Sequence, residues 1–398
     1  MSLLQKYVMP TNFYKVSRSF YGKMLIVQKN IPKRNGLMNK ISQAWAHIQS
    51  TLFPILEAEL DPLTDPQRKL IATLELVKIE DFVPHRWWVL GRRPSDRVSL
   101  ARAFVAKMVL GGITTSELIN QLVSVRNLRR LCGWELSRHV PSESTFSRAF
   151  DEFAEIGLAD RAQAALIKGY ESERLVGHLS RDSTDIPARE KASPKPPKPA
   201  KAKRKMGHPR QGEVRPPKAP TLIERQLGMT LAEMLLELPG ACNWGAKKKC
   251  GNTSFWKGYK FHVDWADGEI PICGILTSAS VIDSQVAIPL ATMSAQRVTN
   301  LYDLMDSAYD SKLIKDHSAS LGHVPIIDHN PRGGEKIEMT PAAARRYDER
   351  TTAERGFSFL KETFGGRNIR VRGQKKVRAH LMFCLLALTA DRLLNLLL

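Results

Sequence analysis

Apolar residues recur at the three- and four-residue intervals of amphipathic helices through the first part of the chain. This pattern holds from Ile41 to about Gly169 and predicts an all-helical region. The pattern then changes, so we place a helical domain at residues 41–172. Residues 1–40 show no firm period, and we interpret them as a separate basic arm.

Two of the predicted helices follow each other in the order of a DNA-binding helix-turn-helix. A Thr-x-x-Glu capping box at Thr114–Glu117 begins the first helix, and Gly133 closes it. The second helix carries Ser144, Ser147 and Arg148 on its polar side. Such a pair binds DNA when its second helix enters the major groove, so Arg148 is a candidate DNA contact. Most helical pairs have no such role, and a purely structural pair stays the alternative.

From Leu175 the pattern changes to short runs typical of β-strands. Strands are predicted at 175–182, 257–265, 269–277, 300–306 and 324–328. Asp267-Gly268 predicts a tight hairpin turn between the second and third strands. Helices are predicted at 284–297, 311–321 and 341–364. In this order of elements, a hairpin comes first and strand–helix–strand crossovers follow. The order predicts an α/β fold at residues 173–398, with a mixed sheet flanked by helices. The all-α region precedes it.

The distribution of charged residues indicates that the protein binds a partner. The 398 residues include 60 Lys and Arg against 40 Asp and Glu, which gives a formal charge of +20. Three segments hold the excess: 1–40 has eight cations and no acid, 189–225 has twelve against three, and 365–378 has six against none. Concentrated basic patches on a nearly neutral body are typical of surfaces that face phosphates. We therefore expect a nucleic acid partner.

Several other features limit the class of protein. Residues 189–226 are rich in Lys and Pro and poor in apolar residues, which predicts a disordered insertion. Five cysteines without CxxC spacing argue against a disulfide framework and against structural zinc. The longest apolar run, 381–390, is too short for a membrane span and is expected to be a buried helix. Without a signal peptide, the expected location is cytoplasmic and nucleoid-associated, with no membrane contact.

Three acidic residues are predicted to meet at one edge of the sheet. Asp182 ends the first strand, Asp306 ends the fourth, and Glu354 lies on the last long helix. Carboxylates about 5 Å apart repel by a few kcal/mol per pair, so such a cluster requires cations. Oxygen ligands without Cys or His favour Mg²⁺ or Mn²⁺ over Zn²⁺. Two such ions can activate a water or a 3′-hydroxyl against a phosphodiester, which makes the three acids candidate catalytic residues and metal ligands.

Other acids remain alternatives to these. Asp185 could replace Asp182. Either Asp303 or Asp310 could replace Asp306. We prefer the acids that end an apolar strand, because Asp310 is better placed to cap the next helix.

Two further polar residues are given structural roles. Asp283 precedes a helix and is interpreted as its N-cap, with support of the acids as the alternative. His262 on the hairpin is interpreted as a half-buried strand residue, with a role at the DNA as the minority view.

The last long helix aligns further chemistry with Glu354. At ~100° per residue, Tyr347, Arg350 and Lys361 fall within about 40° of that acid. A neighbouring apolar stripe would anchor the helix on the sheet: Ala353, Phe357, Leu360 and Phe364. A solvated charged face does not account for an aligned tyrosine. The stripe with Glu354 is therefore predicted to face the site.

The spacing Tyr347-x2-Arg350-x3-Glu354-x6-Lys361 resembles the YREK signature of DDE transposases encoded by bacterial insertion sequences. Further resemblances follow in the family's order: RDST at 181–184, WKGYKFH at 256–262, TSASVIDS at 277–284 and MDSAYD at 305–310. Residues 93–148 look like the family's helical N-terminal region. The resemblance implies a ribonuclease H-like catalytic domain, Mg²⁺-dependent cleavage at terminal inverted repeats, and transfer of the 3′-hydroxyl ends into target DNA.

The resemblance also implies roles for single residues. The three acids would hold two Mg²⁺ ions, with Mn²⁺ as a substitute. Arg350 and Lys361 would hold DNA phosphates, and Tyr347 would position the terminal backbone or a flipped base. Cations that follow the helix would contact the same double-stranded DNA: Arg367, Arg370, Arg372, Lys375 and Lys376. Synapsis of two DNA ends implies a homodimer.

The intervals between the acids depart from some members of the family. Asp306 and Glu354 are 48 positions apart, which leaves no room for the β-rich insertion that some relatives carry there. A hairpin intermediate that depends on this insertion is therefore less secure. Two rival functions stay open: a nuclease without strand transfer, and a catalytically silent DNA-binding protein descended from a transposase.

Overall fold

The computed structural model describes residues 36–84, 95–172, 174–194, 219–249 and 252–396. The basic arm predicted at 1–40 lies outside these ranges up to residue 35. Its last five residues differ from the prediction, because they begin the first helix of the structure. Residues 93 and 94 of the family resemblance also lie outside the described part of the chain.

Eight α-helices make up the N-terminal region within the described residues. They are α1 (Gly36–His47), α2 (Phe53–Glu59), α3 (Asp65–Val77), α4 (Arg97–Val109), α5 (Thr115–Ser124), α6 (Arg126–Cys132), α7 (Glu143–Glu155) and α8 (Leu158–Glu171). A π-helical turn at Ile48–Leu52 joins the first two. This confirms the prediction of an all-α region.

The helix predicted between Thr114 and Gly133 is two helices in the structure. Its start is as expected, since the Thr114 hydroxyl accepts the Glu117 N–H at 2.9 Å. The chain leaves the helical conformation at Val125, between α5 and α6. Arg129 supplies the reason, because its guanidinium donates to the carbonyls of residues 122 and 123 at 3.2 and 2.9 Å and so satisfies the end of α5.

The second region alternates strands and helices. Its strands are β1 (Leu175–Pro187), β2 (Asn243–Lys249), β3 (Asn252–Ala266), β4 (Ile270–Ser278), β5 (Thr299–Met305) and β6 (Val324–Ile327). Its helices are α9 (Leu222–Gln226), α10 (Leu231–Glu237), α11 (Ala287–Ala295), α12 (Lys312–Ser320), α13 (Pro341–Tyr347), α14 (Thr351–Ser358) and α15 (Gln374–Asn395). As expected, helices lie between β4 and β5 and between β5 and β6, so the last two strands follow crossover connections.

The strands form one mixed sheet. Neighbouring strands follow the order β2-β3-β1-β5-β6, and β4 also pairs with β3. β1 runs antiparallel to β3 and parallel to β5, and β5 runs parallel to β6. Gly268, in the predicted hairpin turn, has a φ of +80°. This sheet, flanked by helices and preceded by the all-α region, confirms the predicted α/β class and is consistent with a ribonuclease H-like fold.

Three strands differ from the prediction. β3 begins at Asn252 instead of 257, because its first residues pair with β2. β1 was expected to end at Asp182 but continues to Pro187, because its second half pairs with β3 as far as Gly258. β2 was not predicted at all, since its lysines give no apolar alternation. It forms because each of its residues has a partner on β3, from Asn243 opposite Gly258 onwards.

A hydrophobic core joins the helical region to the sheet. α15 lies at its centre and packs against α3, α4, α7, α8 and β4. Residues 381–390 are at most 1% exposed, which confirms the predicted buried helix. Gly112 and Gly365 make a close contact between the two regions, where a Cβ on Gly112 would lie 2.4 Å from the Gly365 Cα. Within the described ranges, no helix combines the length and apolar character that crossing a membrane requires.

The predicted Lys/Pro-rich insertion falls partly outside the described residues, at 195–218. Its flanks are described and make contacts. The Ser193 N–H donates to the Cys242 carbonyl at 2.8 Å. At the other flank the structure differs from the prediction, since α9 forms within it. The reason is local, because Thr221 and Glu224 make a reciprocal capping box that the search for apolar runs overlooked.

Candidate active site

The register of the parallel strands brings Asp182 and Asp306 together. Arg181 on β1 pairs with Met305 on β5, so the next residue on each strand is one of the two acids. Asp306 directly follows β5, as predicted. Asp182 does not end its strand, and that expectation is wrong, because β1 continues past it opposite Val263 of β3. What ends at Asp182 is the pairing with β5.

A buried ion pair holds the strand that carries Asp182. The Arg181 guanidinium donates to both carboxylate oxygens of Asp264 on β3 at 2.8 Å each. The two side chains are 1% and 0% exposed. The Ser294 hydroxyl donates to the same carboxylate at 2.6 Å. Because side chains alternate along a strand, Arg181 points to the opposite face from Asp182, and its bidentate contact maintains the register beside the acid.

Burial makes both strand acids costly to ionise. It raises the pKa of Asp182 to about 6, with smaller increases from Asp306 and Asp283, while the Ser183 N–H and Arg350 act in the opposite direction. Burial also raises the pKa of Asp306, although the Ala308 N–H donates to its carboxylate at 2.9 Å. A group of carboxylates with these properties is stabilised by a nearby cation.

The helix that carries Glu354 faces these acids through its predicted stripe. The helical path begins with α13, passes through a 3-10 turn at Asp348–Arg350 and α14, and ends in a π-helical turn at Phe359–Thr363. Its apolar residues are buried as predicted: Ala353, Phe357, Leu360 and Phe364. Gly356 allows the approach to the sheet, because a Cβ there would lie 2.4 Å from the Trp265 ring.

Arg350 connects two of the acids. Its guanidinium lies 3.4 Å from the Asp182 carboxylate and 3.6 Å from that of Glu354. The Arg350 Cζ atom lies 5.6 Å from the centroid of the Tyr347 ring. Lys361, further along the stripe, pairs with Asp185 at 3.3 Å. Tyr347, Arg350 and Glu354 therefore share one face, and Arg350 rather than a direct carboxylate contact links Glu354 to the strands.

Asp283 is a functional candidate that the sequence analysis assigned mainly to another role. Its side chain was interpreted as a helix N-cap, but it accepts from the Ser183 hydroxyl at 2.8 Å and pairs with the Lys260 ammonium at 3.0 Å. His262 lies 3.6 Å from the same carboxylate and is fully buried, which corrects the half-buried assignment. The alternative, support of the acids, fits these contacts. The sequence feature that pointed to this role of Asp283 was the family resemblance at 277–284, which includes it.

The other acids make contacts away from this edge. Asp303 is fully buried and accepts from Asn300 at 2.9 Å. Asp310 pairs with Lys315 at 2.6 Å and accepts the Asn330 N–H at 2.9 Å, so it does not cap α12 in the way we expected. Its partners come from tertiary contacts, which a capping pattern does not include.

The three predicted metal ligands are not all brought together. In the ranges that the structure describes, no group of three or more His, Cys, Asp or Glu side chains could hold a metal ion. Asp182 and Asp306 are neighbours, while Glu354 is 65% exposed and reaches Asp182 through Arg350. This conformation does not show the expected convergence.

The donor chemistry of this edge nevertheless fits a hard divalent cation. Every candidate ligand is a carboxylate, and burial raises the pKa of both strand acids. The Tyr309 hydroxyl is buried within the field of Asp182, Asp306 and Asp283. Among the described residues it has no hydrogen-bond partner. A hydrated Mg²⁺ carries the waters that such a hydroxyl could bond.

Several cations predicted to contact DNA have acidic partners on the helical region or nearby. Lys375 pairs with Glu155 at 2.7 Å and Lys376 with Asp151 at 2.6 Å, both on α7. Arg367 pairs with Glu362.

Three other predicted cations, Arg148, Arg370 and Arg372, form no salt bridge with an acid among the described residues. Arg370 donates to the Gly112 carbonyl at 3.3 Å. The exposed Arg148 lies on α7, where it contacts the Thr145 hydroxyl at 3.3 Å. Arg372 makes no ion pair within the described part of the chain.

Comparisons with known families cover both regions. The family model described as Transposase DDE domain matches residues 177–390, and the model described as Transposase domain matches residues 55–152. The first match spans more than half of the chain and includes all three candidate acids. The second runs from α2 into α7 and includes Arg148. No curated protein and no solved structure gives a match.

Proposed function

Because this chain belongs to the family of transposases with a DDE domain, we propose that it cleaves DNA at the terminal inverted repeats of an insertion sequence and joins the freed 3′-hydroxyl ends to target DNA. Both family matches support a transposase function. One observation carries the finer proposal: two in-register parallel strands place Asp182 beside Asp306, and a helix residue, Arg350, connects Asp182 to Glu354.

Members of this family generally use divalent metal ions. We propose that Asp182, Asp306 and Glu354 hold two Mg²⁺ ions, with Mn²⁺ as a substitute. When bound, such ions activate a water or a 3′-hydroxyl as nucleophile and stabilise the leaving oxygen of a phosphodiester. The carboxylates supply the hard oxygen ligands that these ions prefer.

The cations of the YREK stripe would orient the DNA. Arg350 is about one-fifth exposed and already touches two acids, so a DNA phosphate has to compete with them for its guanidinium. Lys361 is held by Asp185, whose side chain is 40% exposed, and a phosphate can replace this partly solvated contact. Tyr347 lies beside Arg350 and would support the terminal backbone or a flipped base. Together they would place the scissile phosphate at the acids.

The helical region would bind the DNA ends, with Arg148 in the major groove. The basic residues after the catalytic helix, Arg367 to Lys376, would follow the backbone of the same duplex. The present partners of Lys375 and Lys376 on α7 are exposed carboxylates, and such surface ion pairs contribute about 0–1 kcal/mol, so phosphates can displace them. Two protomers would hold two DNA ends, which predicts a homodimer on paired ends in light scattering.

The assay uses labelled duplex DNA that carries the element's ends, with Mg²⁺. The variants are Asp182→Asn, Asp306→Asn and Glu354→Gln. Glu349→Gln is the matched control, because Glu349 lies one residue from Arg350 on the same helical path and is exposed. We expect cleavage and joining by the parent and the control, and neither product from the three variants.

Other outcomes identify the rival functions. Cleavage without joining indicates a nuclease. DNA binding that the three substitutions leave unchanged, with neither product from the parent, indicates a silent DNA-binding protein. Activity retained by all three variants would contradict the assignment of the acids.

A further inference from the structure

A cleft of about 490 Å³ lies where the helical region meets the segment after the catalytic helix. α4 and the first turns of α5 and α7 form one side of this cleft. Residues 368–372 and the start of α15 form the other side. Asp182, Asp306 and Glu354 do not line this cleft.

The inner surface of the cleft is apolar. Phe104, Phe146 and Phe150 line it, and their rings pack together with centroids 5.1 to 5.8 Å from Phe104. All three side chains are at most 6% exposed. An apolar surface keeps the local dielectric constant low, so a charge held at the entrance interacts more strongly there than on an open surface.

Two cations at this surface have neutral hydrogen-bond partners. Lys107 on α4 is only 9% exposed, and its ammonium donates to the Thr115 hydroxyl at 3.1 Å. Arg370 donates to the Gly112 carbonyl at 3.3 Å. Both partners are neutral, and neither cation forms a salt bridge with any acid in the described ranges. A buried ammonium that has only neutral partners is costly, unless an anion binds beside it.

The titration of neighbouring groups agrees with this uncompensated positive charge. Burial, together with the charge of Arg370, lowers the pKa of Lys107 to about 8, while Glu143 acts in the opposite direction. Burial lowers the pKa of His380 to about 4, and the charges of Lys107 and Arg370 act in the same direction, whereas its contact with the Gly365 carbonyl opposes them. The positive charge of Arg370 thus lowers the pKa of both Lys107 and His380.

The remaining lining groups leave the cleft positive. In the described residues its charged side chains are four cations (Lys107, Arg370, Arg372 and Lys376) and two acids (Glu143 and Asp151). One acid, Asp151, is already occupied by Lys376 at 2.6 Å. The amino ends of α5 and α7 also line the cleft and add the positive ends of two helix dipoles.

We propose that this cleft binds one phosphate of the DNA backbone between the Lys107 ammonium and the Arg370 guanidinium. The inference rests on the proposed function, because DNA is the polyanion that it supplies. The two cations come from the two regions of the protein, so a phosphate held between them ties the helical region and the catalytic region to the same duplex. The close contact of Gly112 with Gly365 joins the two regions beside the cleft.

The test measures the affinity for a labelled end duplex by fluorescence anisotropy at several salt concentrations. The variants are Lys107→Gln, Arg370→Gln and the double variant. Lys168→Gln is the control, because Lys168 is an exposed lysine on α8. Loss of one phosphate contact should weaken binding about tenfold and reduce the slope of log K against log salt by about 0.9. The control should keep the slope of the parent.

The double variant is the sharper test. If both cations hold the same phosphate, the double variant loses one contact, so its slope falls by about 0.9 and not by twice that amount. Arg370 is exposed, so Arg370→Gln is expected to fold. It can therefore be used for the test if Lys107→Gln does not fold. An unchanged slope in Arg370→Gln, or slope losses that add in the double variant, would overturn the proposal.

Two further experiments distinguish DNA from free phosphate as the ligand, and failure of the cleft assignment from failure of the proposed function. Inorganic phosphate alone, titrated by calorimetry at millimolar concentration, should give no saturable binding. Saturable binding that Lys107→Gln abolishes would assign the cleft to free phosphate and overturn the DNA assignment. Glu354→Gln should keep the parent slope while it loses cleavage. If the parent does not cleave DNA but the slopes change as expected, the proposed function fails and the cleft assignment stands.

Discussion

Replacement of Asp264 by Asn removes one charge from the buried pair that holds β1 beside the active-site edge. The perturbation is nearly isosteric, so packing around the side chain is kept. Asn also retains an oxygen that can accept from the Ser294 hydroxyl, which lies 2.6 Å from the Asp264 carboxylate. What changes is the charge opposite Arg181.

The size of the effect follows from burial. Arg181 and Asp264 are 1% and 0% exposed, so water does not solvate the guanidinium once its partner is neutral. Removal of one partner from a buried pair costs about 3–5 kcal/mol. Because domains unfold with a total free energy of about 5–15 kcal/mol, Asp264→Asn removes a large part of the stability. The double variant Arg181→Met/Asp264→Leu leaves no unpaired charge on either strand and should recover at least half of the loss.

Urea unfolding followed by circular dichroism measures these changes as shifts in the unfolding free energy at a constant slope. Glu155→Gln is the control, because it breaks the pair with Lys375 at the similar distance of 2.7 Å, where both side chains are more than 60% exposed. We expect the control to lose less than about 1 kcal/mol. Equal losses in Asp264→Asn and Glu155→Gln would refute the argument that burial determines the cost.

Three other predictions follow from single contacts. Gly365→Ala should lower the free energy of unfolding by several kcal/mol more than Gly322→Ala in the same urea assay. Both glycines have a φ near +80°, but a Cβ on Gly365 would lie 2.5 Å from the Gly112 Cα, and one on Gly322 would meet nothing within 4 Å. Equal losses would contradict this steric reason. Burial lowers the pKa of His380 from 6.5 to about 4. The native state therefore keeps it neutral while the unfolded chain takes up a proton, so stability falls as the pH drops from 6.5 to about 4, by up to about 1.4 kcal/mol per pH unit. His380→Gln should flatten this dependence relative to the parent, and parallel pH profiles would exclude the assignment. Arg350→Gln should slow single-turnover DNA cleavage by about 10²-fold or more, because it removes a positioned cation beside the acids. An unchanged rate would show that the contact with Asp182 and Glu354 has no catalytic role.

Local patterns in the sequence predicted the hairpin and the buried face of the last long helix. The alternation around Asp267-Gly268 predicted the hairpin of β3 and β4, and the stripe calculation on the last long helix placed Phe357 and Leu360 inside. These properties depend on residues close together in the chain, where spacing alone decides which side chains share a face. The order of short motifs likewise led to the DDE transposase family, which the family match supports.

The site needed information that local patterns do not contain. Asp182 appeared to end a strand, because its neighbours lose apolar character there, but the pairing partner on β3 extends the strand. Asp283 resembled a helix cap, yet its side chain contacts Ser183 and Lys260 on two other strands. Both errors have the same cause, since strand length and side-chain partners are determined by elements that are distant in sequence.

The sequence by itself determined the fold class, the helical and stranded regions, the basic segments and the spacing of Tyr347, Arg350, Glu354 and Lys361 on the last long helix. Only the tertiary structure decided that Arg350 lies between Asp182 and Glu354, that Lys375 and Lys376 contact α7, and that Lys107 and Arg370 line one cleft. The physical reason is that burial and Coulomb interactions depend on distances in space, which are fixed when helices and strands pack around a shared core.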